Sequence, residues 1–257
     1  MNAADWNFIS GGYYEQIISP IKDSVKNPLF SDIENVADKK KSVLDLGCGV
    51  GELMPLLSEK FKDVVGIDFS EEMIQKAKEK SKKLKNVKLR CLDMKKLEDL
   101  GKKFDVIISV NSILSPKIKD VNLILQKILE SLKPGGVFLG VLPSMESYIY
   151  QAMLVIDEKL EKGYSEGRAK NNAKKDLSDE EFDFVKGGLK FDGDSQKTFY
   201  RFEIKYRFFK AGFREIVIDK VLYSWDAWKE AGQKSFPLES EPWDWYLKCI
   251  KPEEELF

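Results

Sequence analysis

Short apolar runs alternate with segments of helical periodicity over residues 41–142. Most of the runs are rich in Val, Ile or Leu, which is typical of strands that are covered on both faces of a sheet. One of the helical segments begins with Ser70 as a predicted N-cap, followed by two glutamates in its first turn. Five such alternations predict right-handed βαβ crossovers and a parallel sheet. The predicted strands are residues 43–46, 63–68, 86–93, 104–112 and 137–142.

The last part of the chain predicts one more helix and the remaining strands. Residues 197–210 have helical spacing, with Phe199, Phe202, Tyr206 and Phe209 at positions i, i+3, i+7 and i+10. A stripe with this spacing usually faces a core, so we expect these four rings to be buried. The further strands are predicted at residues 214–222 and 243–250.

Two segments fall outside the alternating pattern. Residues 1–40 place Tyr13 and Tyr14 beside a pair of glycines, and residues 143–196 separate the fifth strand from the aromatic helix. We expect both segments either to roof a ligand site or merely to cap the sheet, with a helix at residues 147–160. The sequence has no internal repeat and no sign of a second independent domain. The predicted organisation is a single domain, 1–257, made of an N-terminal cap (1–40), a core (41–142), an inserted helical cap (143–196) and a C-terminal part of the core sheet (197–257).

The turn after the first predicted strand carries the strongest chemical signal. Gly47, Gly49 and Gly51 follow the apolar run at alternate positions, before helical spacing resumes. Glycine allows a positive φ and lets a ligand approach the main chain, and the N-terminus of the next helix favours a carboxylate or a phosphate. A dinucleotide fingerprint would require a glycine where Glu52 stands. The pattern therefore indicates a nucleotide-like ligand but departs from the dinucleotide type.

The charges of the chain nearly cancel, with 42 basic and 43 acidic residues and a net charge of −1. This balance argues against a general surface for polyanions, which needs a basic excess. Three cysteines without paired spacing indicate neither a disulfide framework nor a zinc site, and we expect no metal. No segment approaches 18 consecutive apolar residues, and the first residues do not resemble a signal peptide. We therefore expect a cytoplasmic protein that does not enter a membrane.

Five segments in order resemble class I S-adenosylmethionine-dependent methyltransferases. Residues 45–51 resemble the first motif of that family, residues 64–74 its ribose-binding motif, and residues 92–94 its adenine-contacting turn. Residues 132–138 resemble its turn into the fifth strand, and residues 243–250 its antiparallel last strand, which lies between the fifth and sixth. The resemblance covers most of the chain. It implies a Rossmann-like, doubly wound α/β fold with a seven-stranded, mostly parallel sheet, and S-adenosylmethionine as the cofactor.

The resemblance also implies which residues bind that cofactor. Asp45 would hold the amino group of the methionine part, directly or through water, or would only order the glycine turn. Asp68 would accept hydrogen bonds from both ribose hydroxyls, and Asp93 would accept one from the adenine amine. Asn111, at the end of the fourth strand, would contact the methionine part or the acceptor, or would only cap the next turn. The expected cofactor-binding residues are Asp45, Gly47, Gly49, Gly51, Asp68, Phe69, Met73, Asp93, Met94 and Asn111.

The chain contains no histidine, which removes the commonest general base. Methyl transfer from a sulfonium tolerates this loss, because proximity and orientation alone can contribute about 7–11 kcal/mol. A hydroxyl of high pKa would still need a base or a metal, so acceptors that are already nucleophilic at neutral pH are slightly favoured. Tyr13, Tyr14 or Glu146 could act as a base. The candidate catalytic residues are Tyr13, Tyr14 and Asn111.

Residues 111–114, Asn-Ser-Ile-Leu, depart from the Asn/Asp-Pro-Pro-Tyr/Phe signature of methyltransferases that modify nucleobases or glutamine. We therefore expect a small-molecule acceptor and no nucleic-acid partner. Three alternatives stay open: a methyltransferase that acts on protein or RNA, an NAD-dependent oxidoreductase, and a non-catalytic relative that serves as a partner subunit. The sequence does not indicate the oligomeric state.

Overall fold

The structure of the protein is a computed structural model that describes residues 19–22, 24–177, 182–191, 194–230 and 234–253. The strands are β1 (Ser42–Leu46), β2 (Asp63–Asp68), β3 (Val87–Cys91), β4 (Phe104–Val110), β5 (Leu132–Leu142), β6 (Phe182–Asp183), β7 (Gly188–Phe191), β8 (Asp194–Lys197), β9 (Arg214–Leu222) and β10 (Trp243–Ile250). The helices are α1 (Pro28–Val36), α2 (Met54–Lys60), α3 (Glu71–Ser81), α4 (Ile118–Ser131), α5 (Met145–Glu161), α6 (Glu166–Leu177), α7 (Arg201–Ala211) and α8 (Trp225–Glu230), with a 3-10 helix at Met94–Leu100. Among these described residues, no helix combines the length and the apolar character that a membrane span requires.

Seven of the described strands form one sheet in the order β3-β2-β1-β4-β5-β10-β9. The pairs from β3 to β5 are parallel, whereas β10 is antiparallel to both β5 and β9. The predicted mostly parallel sheet with a reversed last strand is therefore confirmed. Because β10 runs against its neighbours, its first residues lie at the edge where β4, β5 and β9 end. At this carboxyl edge, the reversal of the strand order between β1 and β4 opens the crevice in which sheets of this kind bind ligands.

Two apolar layers hold the sheet from its two faces. On one face, Phe138 of β5 packs against Phe208 and Phe213, with ring centroids 5.5 and 6.1 Å away. On the other face, Leu29 and Ile33 of α1 are fully buried against the central strands. Burying each such side chain contributes about 1.5–3 kcal/mol. The strand ends that form the crevice are therefore supported by packed apolar layers on both sides.

The predicted core-facing stripe on α7 is wrong for three of its four rings. Only Phe199 is buried, and it precedes the helix. The helix instead buries Ile204 and Phe208, because Phe208 also packs on Phe213 at 5.4 Å. Both faces of α7 carry aromatic side chains, so periodicity alone could not select the buried face. The rings that face solvent are Phe202 (70% exposed), Tyr206 (58%) and Phe209 (60%).

The insertion between β5 and α7 contains more than the expected helix. Helices α5 and α6 pack against each other and are followed by β6, β7 and β8, which form a small antiparallel sheet. Lys197 N donates to Leu114 O at 3.0 Å, and Phe199 N donates to Pro143 O at 2.7 Å. These bonds attach the small sheet to the loops after β4 and β5. The insertion therefore lies beside the carboxyl edge of the main sheet.

Candidate active site

The three glycines of the turn between β1 and α2 have positive φ angles of +74°, +52° and +81°. A Cβ on Gly47 would lie 2.3 Å from Ser112 Cβ, and a Cβ on Gly51 would lie 3.1 Å from Ala77 Cβ. These two glycines therefore permit close packing within the protein. Within the described part of the chain, a Cβ on Gly49 would meet no atom within 4 Å. Gly49 is thus the position at which the turn is open to a ligand.

Asp68, at the end of β2, ties this turn to the neighbouring strand. Its Oδ2 accepts a hydrogen bond from Gly49 N at 3.0 Å, and its Oδ1 accepts one from Ser70 N at 2.9 Å. The side chain is buried, and this burial raises its pKa above the ordinary value, although the backbone N–H groups oppose the shift. Each carboxylate oxygen can accept a further hydrogen bond. The carboxylate can therefore hold the turn and still bind a ligand hydroxyl.

Asp45 is a second acid at this edge, and its side chain is only 3% exposed. Burial and the negative charge of Asp68 raise the pKa of Asp45 to about 7. Among the described residues, we find no hydrogen bond to its carboxylate. A buried acceptor without a partner is unfavourable unless something else satisfies it. The crevice beside the glycine turn therefore suits a ligand group that is cationic or carries N–H donors.

The adenine-contacting residues expected from the sequence lie at the end of β3, which stops at Cys91 and not at Asp93. Asp93 is the N-cap of the 3-10 helix: its Oδ1 accepts a hydrogen bond from Lys95 N at 2.9 Å, and its side chain is 43% exposed. Phe69 is half-buried next to Asp68, whereas Met73 is 1% exposed. Met73 therefore occupies a core position in α3, and Asp93 remains accessible at the carboxyl edge.

Asn111 follows β4 and has a φ of +44°, a conformation that residues other than glycine rarely adopt. Its Nδ2 donates a hydrogen bond to Asp244 Oδ2 at 2.8 Å. The next residue, Ser112, donates from Oγ to Leu46 O at 2.6 Å and packs against Gly47. The turn after β4 therefore contacts the glycine turn on one side and β10 on the other.

Asp244, the second residue of β10, is the centre of a polar cluster. Besides Asn111, Tyr223 OH donates to its Oδ2 at 2.6 Å, and Ser144 N donates to its Oδ1 at 3.3 Å. Burial raises the pKa of Asp244, although these hydrogen bonds lower it, and burial together with the charge of Asp244 raises the pKa of Tyr148. We call Asn111, Ser144, Tyr148, Tyr223 and Asp244 the Asp244 cluster. Asn111, Ser144 and Tyr223 follow β4, β5 and β9, Asp244 lies near the start of β10, and Tyr148 lies within α5.

Of this cluster, the sequence identified Asn111 but missed Asp244, Tyr223 and Tyr148. Asp244 carried a usable signal, because it is an acid between two tryptophans at the start of the predicted antiparallel strand. Such a strand begins at the carboxyl edge, where a polar side chain reaches the crevice. The two tyrosines carried no comparable signal, because their role depends on contacts between distant segments.

Glu146 does not join the Asp244 cluster. Its carboxylate accepts hydrogen bonds from Trp245 Nε1 at 2.9 Å and from Arg201 N at 3.0 Å. Burial raises the pKa of Glu146, and the same two hydrogen bonds lower it. It therefore caps the start of α7. Tyr13 and Tyr14, the other candidate bases, lie outside the described residues. The part of the chain that is described contains no group of three or more His, Cys, Asp or Glu side chains that could hold a metal ion.

Comparison with known sequences identifies a family and several relatives of this chain. A family model described as "Methyltransferase domain" matches residues 37–181. The protein YqeM of Bacillus subtilis (strain 168) is 36% identical over 109 residues, which cover 42% of this chain and 44% of YqeM. The ubiquinone biosynthesis O-methyltransferase of Coxiella burnetii (strain Dugway 5J108-111) is 29% identical over 120 residues, covering 46% of this chain and 50% of that protein. The chain therefore spans about half the length of the curated relatives it matches.

Solved structures resemble the whole fold. The magnesium protoporphyrin IX methyltransferase (ChlM) from Synechocystis PCC 6803, solved with bound SAH, superposes with a TM-score of 0.56. The match covers 96% of this chain and 98% of ChlM, at 14% sequence identity. At this identity the similarity shows the shared fold and carries no information on the acceptor.

Proposed function

The chain belongs to the methyltransferase-domain family, and from this premise we propose that it transfers a methyl group from S-adenosylmethionine to a small-molecule acceptor. The observation that carries the proposal is the turn at Gly49. Its backbone is open on one side, has a positive φ and donates to Asp68 at the end of the adjacent strand. This arrangement lets an adenosine-like ligand approach the main chain of the turn and offers it the carboxylate of Asp68.

The residues of β1, β2 and β3 would hold the cofactor. Asp68 would accept hydrogen bonds from the ribose hydroxyls, and the glycine turn would lie against the methionine part. Asp45 would accept from the amino group of that part, which gives its carboxylate the partner that it lacks among the described residues. Asp93 would meet the adenine amine from the end of β3, with the backbone of Met94 facing the ring. When bound, S-adenosylmethionine supplies a methyl group on a sulfonium, a leaving group that needs no protonation.

The remaining elements would orient the acceptor and exclude water. The Asp244 cluster lies at the carboxyl edge, and its member Tyr148 belongs to the insertion and packs against Phe182, with ring centroids 6.3 Å apart. We assign the acceptor to this side of the crevice, with residues 1–40 and 143–196 as caps. Orientation is the main contribution required of the protein, which is compatible with a chain that lacks histidine.

Two features support a small molecule over a protein or RNA. The net charge of −1 provides no basic excess for a nucleic acid. Residues 111–114 also lack the signature of enzymes that methylate nucleobases or glutamine.

Thermal unfolding with S-adenosylhomocysteine, and separately with NAD, tests the proposal. A ligand at 100 times its Kd stabilises the folded protein by about 2.7 kcal/mol, so S-adenosylhomocysteine should raise the Tm clearly. Asp68→Asn should reduce this rise, whereas Asp32→Asn should not, because Asp32 pairs with Tyr246 and Lys248 away from the crevice. A rise with NAD and none with S-adenosylhomocysteine would contradict the proposal.

A further inference from the structure

The side-chain oxygen of Asn111 is buried and has no hydrogen-bond partner among the described residues. The orientation of this amide is fixed, because an ionised carboxylate only accepts hydrogen bonds and Asp244 Oδ2 therefore requires Nδ2 on its side. Oδ1 must then point away from Asp244. The same residue has a φ of +44°. Asparagine tolerates this conformation better than most residues, so the feature that points to a ligand is the buried acceptor without a partner.

Asn111 lies between the two parts of the crevice. Ser112, its neighbour in sequence, is in contact with Gly47 of the glycine turn, and Asn111 N donates to Val141 O of β5 at 2.9 Å. An acceptor bound between the methionine part of the cofactor and Asp244 would therefore contact Asn111 before the other members of the Asp244 cluster. This position suits contact with the atom that receives the methyl group.

The surroundings of Asn111 favour a neutral N–H donor that gains positive charge as it reacts. Among the described residues, no cationic side chain pairs with Asp244, and its charge is met only by the neutral donors of Asn111, Tyr223 and Ser144. The carboxylate on Nδ2 also polarises the amide and makes Oδ1 a stronger acceptor. The charge of Asp244 acts on Tyr148, whose ring packs against that of Phe182, and aromatic faces attract ammonium groups.

We propose that the acceptor is a primary or secondary amine whose N–H donates to Asn111 Oδ1, and that Asp244 and Tyr223 are positioning residues that fix this amide. The inference rests on the proposed function and specifies its substrate class. In the transfer, the lone pair of the nitrogen forms a bond to the methyl carbon as the C–S bond breaks, and that electron pair goes to sulfur. The positive charge passes from sulfur to nitrogen, which later releases its proton to water. An amide oxygen stabilises such an N–H group but cannot remove a proton, so a hydroxyl of high pKa fits this position less well.

Sinefungin tests this inference without a known acceptor. It resembles S-adenosylmethionine but carries an amine where the cofactor carries the transferable methyl group, so its affinity relative to S-adenosylhomocysteine reports a hydrogen-bond acceptor at that point. We define the affinity ratio as the Kd for S-adenosylhomocysteine divided by the Kd for sinefungin. We expect calorimetry to give a ratio of at least ten for the parent protein. In Asn111→Gly, which tolerates the positive φ, and in Asp244→Asn, this ratio should fall at least fivefold. In Asp244→Asn the Kd for S-adenosylhomocysteine should stay within threefold of the parent value, and in Asn111→Gly the ratio cancels any contact with the part of the molecule that the two ligands share.

Two tyrosines provide a matched pair that separates positioning from stability. Tyr223 OH and Tyr246 OH each donate to an aspartate at 2.6 Å, Asp244 in the first case and Asp32 in the second. Both Tyr→Phe variants should lose stability, but only Tyr223→Phe should lower the affinity ratio, by about threefold. A merely structural role for Tyr223 would leave the ratio unchanged in both.

Failure of the inference and failure of the proposed function have different signatures. If the parent binds S-adenosylhomocysteine but the ratio is one or less, or Asn111→Gly leaves the ratio unchanged, the inference is overturned and the proposed function stands. If the parent does not bind S-adenosylhomocysteine, the proposed function is overturned and the inference with it.

Discussion

Asp68 and Asp244 occupy corresponding positions on the two sides of the crevice, but their partners differ in origin. The carboxylate of Asp68 accepts from Gly49 N and Ser70 N, which belong to the adjacent turn and to its own strand end. Asp244 accepts from Asn111, Ser144 and Tyr223, of which Asn111 and Ser144 are 133 and 100 residues away in the chain. One side is built from a contiguous motif, and the other is assembled from separate segments.

We call β1, β2 and β3 with their turns the cofactor side, and β5, β9, β10 and the insertion the acceptor side. The cofactor side offers open main chain at Gly49 and a carboxylate, Asp45, without a hydrogen bond from the described residues. Next to the acceptor side, Asp244 is hydrogen-bonded within the protein, and Asn111 Oδ1, in the turn after β4, is a buried acceptor without a partner among the described residues. The cofactor side therefore presents carboxylates to a ligand, whereas the acceptor available beside Asp244 is an amide oxygen on a residue that other segments hold in place.

The largest expected effect is that of Asp45→Asn on stability as a function of pH. The pKa of Asp45 in the folded protein is about 7, against 3.8 ordinarily, so the unfolded chain loses this proton first as the pH rises. The parent therefore loses stability between about pH 4 and pH 7, by up to about 4 kcal/mol at 1.36 kcal/mol per unit. Asparagine does not titrate. The free energy of unfolding of the variant should therefore rise relative to that of the parent across this pH window, and the difference should be constant above pH 7.

Urea unfolding at pH 5, 6, 7 and 8 measures this gain. Asp244→Asn should show a smaller pH-dependent gain, because three hydrogen bonds oppose the upward shift of the pKa of Asp244. Equal pH dependence in both variants would remove the distinction between the two carboxylates.

Gly47→Ala and Gly49→Ala should separate packing from ligand binding within the cofactor side. Alanine at Gly47 would overlap Ser112 and adopt a φ of +74°, which we expect to cost about 2–4 kcal/mol of stability. Alanine at Gly49 meets open space, so only backbone strain of about 1–2 kcal/mol applies. The Gly49 variant should nevertheless lose S-adenosylhomocysteine binding at least tenfold. Chemical unfolding and calorimetry measure the two effects, and unchanged affinity in Gly49→Ala would mean that the ligand lies elsewhere.

Asp68→Asn and Asp244→Asn should have different effects on the affinity for the cofactor product, because the two residues lie on different sides of the crevice. Hydrogen bonds to charged groups contribute about 1.5–3 kcal/mol, so Asp68→Asn should raise the Kd for S-adenosylhomocysteine at least tenfold. Asp244→Asn should change it by less than threefold. Calorimetry on both variants checks the division, with Asp32→Asn as a control outside the crevice. Similar losses in the two variants would show that the cofactor spans both sides.

The smallest expected effect concerns the exposed rings of α7. Phe209→Ser removes a side chain that is 60% exposed, so the free energy of unfolding should change by no more than about 0.5 kcal/mol. Phe208→Ala, one residue away, removes a fully buried ring and should cost about 3–5 kcal/mol. Urea unfolding of both variants measures the contrast. Equal losses would restore the buried stripe that the sequence suggested.

The cofactor side could be predicted well because its structure is local. Apolar runs marked β1 and β2, the spaced glycines marked the turn, and Ser70 caps α3 as expected, accepting from Met73 N at 3.2 Å. In each case the residues that decide the conformation are within a few positions of one another. The position of Asp68 could be predicted because it ends the strand next to that turn. Its bond to Gly49 then follows from the parallel pairing of β1 and β2.

The acceptor side could be predicted only in outline. The resemblance gave the reversed strand β10 between β5 and β9, yet the meeting of Asn111 with Tyr223 and Asp244 depends on the register of three strands. No local pattern encodes that register. The stripe on α7 failed for a related reason, because the buried face was chosen by Phe138 and Phe213 from other elements.

The contact between Gly47 and Ser112 has a consequence for protein engineering. Gly47 lies directly against Ser112 in the turn after β4. We call this contact the joint, because a change of backbone at either residue would be transmitted to both sides of the crevice. Libraries that aim at new acceptors can vary Tyr148, Phe182 and Tyr223 on one side of this joint. Randomising Ser112 would alter the cofactor turn as well, so a change of substrate preference obtained there would be confounded with a change in cofactor occupancy.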